Sequence, residues 1–221
     1  MGTASSAETK RYLLFDHDGV LVDTEYWYYR AGRRALDTIG IDLPRDAYLQ
    51  DMSSGNGTWA RARAAGVSEA TIDELRVMRD RWYREYLVTE SIEIPGVLEA
   101  LGALSTCAHM AIVTTAKRTD FELIHAERSI TQFMDFVLVR EDYEHAKPHP
   151  EPYLTALNRY QALKSQTLVV EDSARGLNSA VAAGIDCVIV RNDFTRGGDF
   201  SRARYRIDNL AELVGLLDHE R

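Results

Sequence analysis

Short apolar runs alternating with amphipathic stretches constrain this chain more than any other feature of its sequence. The runs are Tyr12–Phe15, Met110–Val113, Phe136–Val139, Leu168–Val170 and Cys187–Val190. Each has the length and composition of a strand buried on both faces. Between them Val97–Leu104, Asp120–Glu127, Tyr153–Leu163 and Ala174–Ala183 carry helical spacing, and Gly184 can end the last of these. Strands alternating with helices predict an α/β fold, a Rossmann-like open parallel sheet covered on both faces.

The first two runs break the rhythm. Almost a hundred residues separate Phe15 from Met110, whereas later runs are spaced by about 25–30 residues, one βαβ unit. The interval reads as helices. Glu25–Ile39 is one, ending at Gly40. Ser68 can cap another over Glu69–Leu87, with apolar residues at Ile72, Leu75, Val77, Met78, Trp82, Tyr83 and Tyr86. The Ser53–Gly57 stretch between them is a loop. The expected organisation is an α/β core from residues 1–23 and 93–221, with a helical cap inserted after the first strand at 24–92.

Composition narrows the partners. Lys plus Arg number 26 against 34 Asp plus Glu, a net charge of −8. That argues against nucleic acid, which needs a basic face, and against an anionic membrane surface. No apolar run approaches the ~20 residues that span a bilayer. Met1–Thr9 lacks the basic start and apolar stretch of a signal peptide, so a cytoplasmic protein, monomer or homodimer, is expected. Cys107 and Cys187 lack metal-ligand spacing and sit beside apolar stretches, which predicts buried thiols.

Ligands of open parallel sheets bind beyond the carboxyl ends of the strands. The residues expected there are Asp16-His17-Asp18-Gly19, Thr114-Thr115, Lys147-Pro148 and Glu171-Asp172-Ser173. Each group alone has an ordinary reading as a turn, a cap or a surface charge. Four strand ends bearing four carboxylates, two hydroxyls and a lysine form a joint pattern. The acids would repel one another unless a cation lay among them, and an all-oxygen set suits Mg²⁺.

Asp16-His17-Asp18-Gly19-Val20-Leu21-Val22-Asp23-Thr24 resembles the first motif of the haloacid dehalogenase-like hydrolases. Ile112-Val113-Thr114 resembles the second, Lys147-Pro148 the third and Val170-Glu171-Asp172-Ser173 the fourth. The stretch Gly176–Gly184 is similar too, and the subgroup is that of phosphoglycolate phosphatase and β-phosphoglucomutase, with a helical cap between the first and second motifs. The resemblance implies Asp16 as nucleophile and Asp18 as general acid and base. It implies a magnesium site from Asp16, the Asp18 carbonyl, Glu171 and Asp172. Thr114, Thr115 and Lys147 would hold phosphoryl oxygens. The activity implied is Mg²⁺-dependent hydrolysis of a small phosphorylated metabolite through an aspartyl-phosphate.

Alternatives stay open. A sugar phosphomutase would need a second phosphate clamp. Ser54 stands where the mutase relatives carry arginine, and Arg61 and Arg63 are the nearest substitutes. A phosphonate hydrolase needs a cap lysine, and none lies between Lys10 and Lys117. A non-enzymatic binding protein would have catalytic positions blanked, and none is. His17, where relatives carry an apolar residue, is expected to pack behind the strand end. Tyr28, Trp59 and the Ser53–Thr58 loop are expected at the substrate pocket, and Lys117 is expected to be a solvated lysine, with contact to a distal anionic group as the alternative.

Overall fold

The computed structural model describes residues 11–219, so the reading of Met1–Thr9 lies outside the described residues. Six strands form one parallel sheet: β1 (Arg11–Phe15), β2 (Ala108–Val113), β3 (Phe136–Leu138), β4 (Thr167–Glu171), β5 (Asp186–Val190) and β6 (Tyr205–Ile207). Their order is β3-β2-β1-β4-β5-β6. β1 pairs with β2 on one side and β4 on the other, Phe15 opposing Ile112 and Val170. The chain winds outward from β1 in both directions, which makes its carboxyl end the topological switch point.

Side chains alternate across the sheet as the two-residue strand period requires. Leu13, Phe15, Met110, Ile112, Val170 and Val188 face one core, shared with the inserted helices and with α5 (Val97–Leu104). Leu14, Ala111, Val113, Val169 and Ile189 face the other, closed by Tyr153, Leu157, Leu177 and Ala180. The five expected strands and the open α/β architecture are present. The sequence does not signal the edge strand β6, because its three residues, Tyr205-Arg206-Ile207, lie between Arg204 and Asp208 and include no apolar run.

Four helices are inserted between β1 and β2: α1 (Glu25–Asp37), α2 (Arg45–Ser53), α3 (Ala60–Ala64) and α4 (Glu69–Thr89). α1 buries the stripe Tyr29, Gly32, Ala35 and Leu36, and it packs along α4. α4 begins at Ser68, whose hydroxyl accepts the Thr71 N–H at 3.2 Å, the cap read from the sequence. After α5 come α6 (Arg118–His125), α7 (Glu151–Tyr160), α8 (Ala174–Ala183) and α9 (Leu210–His219). The two chain crossings between sheet and insertion are joined: the Asp23 N–H donates to the Ile92 carbonyl at 2.8 Å, and Val22 bridges Glu93. No helix among the described residues is long and apolar enough to cross a membrane. Cys187 is buried as expected, whereas Cys107 is partly exposed because it follows α5 in a surface turn.

Candidate active site

β1 ends at Phe15 and delivers Asp16 to the switch point, with its N–H held by the Val170 carbonyl at 2.8 Å. Lys147 reaches it from the segment before α7. Its ammonium donates to Asp16 Oδ1 at 2.6 Å, Glu171 Oε1 at 2.7 Å and the Val113 carbonyl at 2.8 Å. Three strand ends are thereby joined through one buried cation. Glu171, the last residue of β4, is fully buried, and Tyr153 donates to its Oε1 at 2.7 Å. Its Oε2 accepts from the Ser173 hydroxyl and from the N–H groups of Asp172 and Ser173, at 3.0–3.3 Å. Glu171 therefore enters the cluster with both oxygens already occupied by donors.

Asp172 accepts from Asn192 Nδ2 at 2.7 Å, and Asn192 in turn caps the 192–195 turn by accepting the N–H groups of Phe194 and Thr195. Gly19 passes so near that a Cβ there would fall 2.2 Å from Asp172 Oδ2, and its φ is +80°. The glycine in Asp-His-Asp-Gly is thus set by both space and backbone conformation.

Asp18 lies on the same turn. Thr24 donates to its Oδ1, and Thr114 approaches its Oδ2 at 3.4 Å. The Thr114 hydroxyl also accepts the Ala116 N–H at 3.0 Å, so β2 contributes a fixed hydroxyl. Thr115 stands further out, touched by Arg175 at 3.4 Å. The sequence-predicted residues Asp16, Lys147, Glu171 and Asp172 meet directly; Asp18 and Thr114 form an adjoining pair; Thr115 is at the rim.

Charge is unevenly compensated. Asp16 is pushed up to about 7 by burial and by the charge of Glu171, against the pull of Lys147, with Asp18 adding to the rise. Burial, then Glu171 and Asp16, raise Asp172 well above the carboxylate range. Burial would raise Asp18 too, but the adjacent His17 ring and the Thr24 hydroxyl hold it at about 2. Burial opposes the charge on Lys147, yet Asp16 and Glu171 raise it above its ordinary value. One ammonium among these acids leaves negative charge uncompensated. Oxygens of Asp16, Glu171 and Asp172 lie within 4.8 Å of one another. An all-oxygen, acid-rich cluster of this size fits a hard divalent ion such as Mg²⁺.

His17 packs as expected. It is fully buried against Phe121, with its Nε2 at 2.8 Å from His125 Nε2. Lys117, half exposed, turns to the insertion, where its ammonium meets Asp80 of α4 at 2.7 Å. Arg84 of α4 likewise meets Asp120 of α6 at 2.7 Å. Arg61 and Arg63 are engaged by Asp51 and Glu69. The cation missed in the sequence is Arg79, 7% exposed, its guanidinium 4.3 Å from the Tyr28 ring centre and 5.7 Å from that of Trp59. Its Nε bonds Asp80 at 2.7 Å. Helical spacing alone places Arg79 on α4 near Met78 and Trp82, and only packing singles it out from the other arginines there.

A parallel sheet with a helical insertion after β1, and a lysine-bridged acidic cluster at its switch point, defines a hydrolase of one class. Residues 13–190 match the haloacid dehalogenase-like hydrolase family, and the chain belongs to it. The protein CbbY of Rhodobacter capsulatus is 30% identical over 211 residues, spanning 90% of this chain and 93% of CbbY. The fructose-1-phosphate phosphatase YqaB of Escherichia coli is 27% identical over 181 residues, 81% of this chain and 95% of that protein. The crystal structure of CbbY from Rhodobacter sphaeroides in complex with phosphate superposes with a TM-score of 0.78 at 22% identity, covering 93% and 96% of the two chains.

Proposed function

We propose that the chain is a Mg²⁺-dependent phosphatase of a small phosphorylated metabolite, working through an aspartyl-phosphate on Asp16. The observation that carries this reading is the Lys147 ammonium shared between Asp16 and Glu171 at the sheet's switch point. Relatives named as phosphatases support the substrate class.

Asp16 attacks phosphorus with one carboxylate oxygen, and the bond to the leaving oxygen breaks as Asp18 supplies its proton. Water then attacks phosphorus and gives a proton to Asp18. The bond to Asp16 breaks, and inorganic phosphate leaves. Asp18 sits two residues beyond Asp16; held ionised in the free site, it takes up a solvent proton as the phosphate dianion enters beside it, and acid–base help of this kind contributes about 10²–10⁴-fold. Lys147 offsets the repulsion between the Asp16 carboxylate and a phosphate dianion. Thr114 offers its hydroxyl to a phosphoryl oxygen, with Thr115 at the rim of the same loop.

Asp16, Asp172 and the Asp18 carbonyl would hold the magnesium ion. Glu171 adjoins it while fixing Lys147. Bound there, the ion supplies positive charge against the developing negative charge on the phosphoryl oxygens. In this reading, residues 24–92 are a cap domain that covers the site and reads the leaving group, with Arg79 between Tyr28 and Trp59 as its cation.

A phosphate-release screen over phosphorylated metabolites tests the function. Turnover that needs Mg²⁺, stops with EDTA and is lost in Asp16→Asn is expected. Turnover unchanged by EDTA, or retained in clean Asp16→Asn protein, would contradict it.

A further inference from the structure

The heptapeptide that carries Lys147 holds a second convergence of ligand groups, on its outer side. His145 Nδ1 lies 2.8 Å from Glu151 Oε2, and His149 Nδ1 lies 3.8 Å from the same oxygen. The two imidazole rings are 4.6 Å apart and inclined by 33°. One ligand atom from each of the three residues falls within 4.8 Å of the others. A hydrogen bond from His145 would by itself account for one ring at this carboxylate. The Glu151 N–H donates to His149 Nδ1 at 3.2 Å, so the second ring is also held beside this residue.

The backbone under these groups is fixed at several points. Glu151 Oε1 accepts the Glu144 N–H at 2.7 Å, and Oε2 accepts the His145 N–H at 2.9 Å. The His149 N–H closes a turn onto the Ala146 carbonyl at 3.0 Å. The His149 carbonyl accepts from Ser179, a fully buried hydroxyl on α8, at 2.7 Å. Lys147 is pinned between the two histidines by its three bonds in the sheet. The ligands therefore start near their bound positions, which lowers the cost of ordering them. Their rings stay open to solvent, the two histidine side chains being 56% and 50% exposed, so an ion can enter and water can complete its shell.

We propose that His145, His149 and Glu151 form a second metal site, selective for a borderline divalent ion of the zinc and copper class. Two imidazole nitrogens and one carboxylate oxygen match that class, whereas magnesium prefers oxygen ligands throughout. The site is chemically distinct from the all-oxygen cluster around Asp16, and it stands whether or not the phosphatase reading does.

The test uses untagged full-length protein in excess Mg²⁺, which occupies the oxygen cluster. Cu²⁺ is added at one equivalent, and the sample is desalted and examined by electron paramagnetic resonance. Competition with a metal-indicator dye gives the Zn²⁺ affinity. Retained copper with imidazole nitrogen splitting is expected, together with at least tenfold weaker Zn²⁺ binding in H145Q/H149Q. Both side chains are exposed, and circular dichroism checks that the double variant stays folded. The same spectrum and affinity in the double variant would overturn the site. So would a wild-type copper signal without nitrogen splitting, or no ion retained by the wild type.

Discussion

Gly176 lies so close to Glu171 that a Cβ on it would fall 1.8 Å from the glutamate carboxylate. The first turn of α8 therefore presses on the residue that holds Lys147. Gly176→Ala must displace Glu171 or the helix, and overpacking of this kind costs about 1–3 kcal/mol. Urea unfolding should show the loss, and phosphate release should fall with it. Gly102→Ala in α5, with its nearest neighbour 4.0 Å away, is the control and should be neutral or slightly stabilising. Equal effects at the two positions would contradict the assigned contact.

Removing Lys147 strips the counter-ion from two buried carboxylates. Lys147→Met should destabilise by about 3–5 kcal/mol, the range for breaking a buried pair by losing one partner. Added Mg²⁺ should recover more stability in the variant than in the wild type, because the acids then lack any other cation. Thermal melts with and without Mg²⁺ read this difference, and an unchanged Mg²⁺ response would weigh against a cation site at Asp16 and Asp172.

If the insertion reads the leaving group as proposed, Arg79 is the residue whose loss should separate that reading from the chemistry. Arg79→Met keeps much of the apolar stem between Tyr28 and Trp59 and removes the charge. The expected result is a tenfold or larger loss in kcat/KM for the preferred metabolite, with a smaller loss for p-nitrophenyl phosphate. The same loss on both substrates would assign Arg79 to packing of the insertion rather than to recognition.

Acid should loosen the fold through His125, a half-buried ring packed on the buried His17. Burial lowers His125 from an ordinary 6.5 to about 3, with the neighbouring His17 and Arg128 adding to it. The folded chain then takes up this proton less readily than the unfolded one. Its contribution is complete above about pH 6.5 and is lost as pH falls toward 3. Urea midpoints measured between pH 7.5 and 4 should fall less steeply in His125→Gln than in the wild type. Parallel pH profiles would mean that the folded chain protonates this ring as readily as the unfolded chain.

Most of the sheet was legible because its strands are apolar on consecutive positions, as in Ile112-Val113 and Val188-Ile189-Val190. The residues at the strand ends were legible because chain order alone places them at one edge. What escaped depends on tertiary packing. β6 has only Ile207 buried among exposed neighbours. α2 carries no strong apolar stripe. Nothing local to Lys117 shows its partner, because α4 brings Asp80 to it from nearly forty residues away. Arg79 was not singled out, since nothing local distinguishes it from Arg76, Arg81 or Arg84 until Tyr28 and Trp59 close around it.

The central claim is a covalent phosphoryl transfer to Asp16. Rapid acid quench of the Mg²⁺-loaded enzyme during turnover of a phosphate ester, followed by peptide mass spectrometry, tests it most directly. The account predicts a base-labile phosphoryl adduct on the peptide containing Asp16, and no adduct in Asp16→Asn. Turnover with no phosphorylated peptide at the earliest quench, or an adduct on another residue that persists in Asp16→Asn, would contradict it.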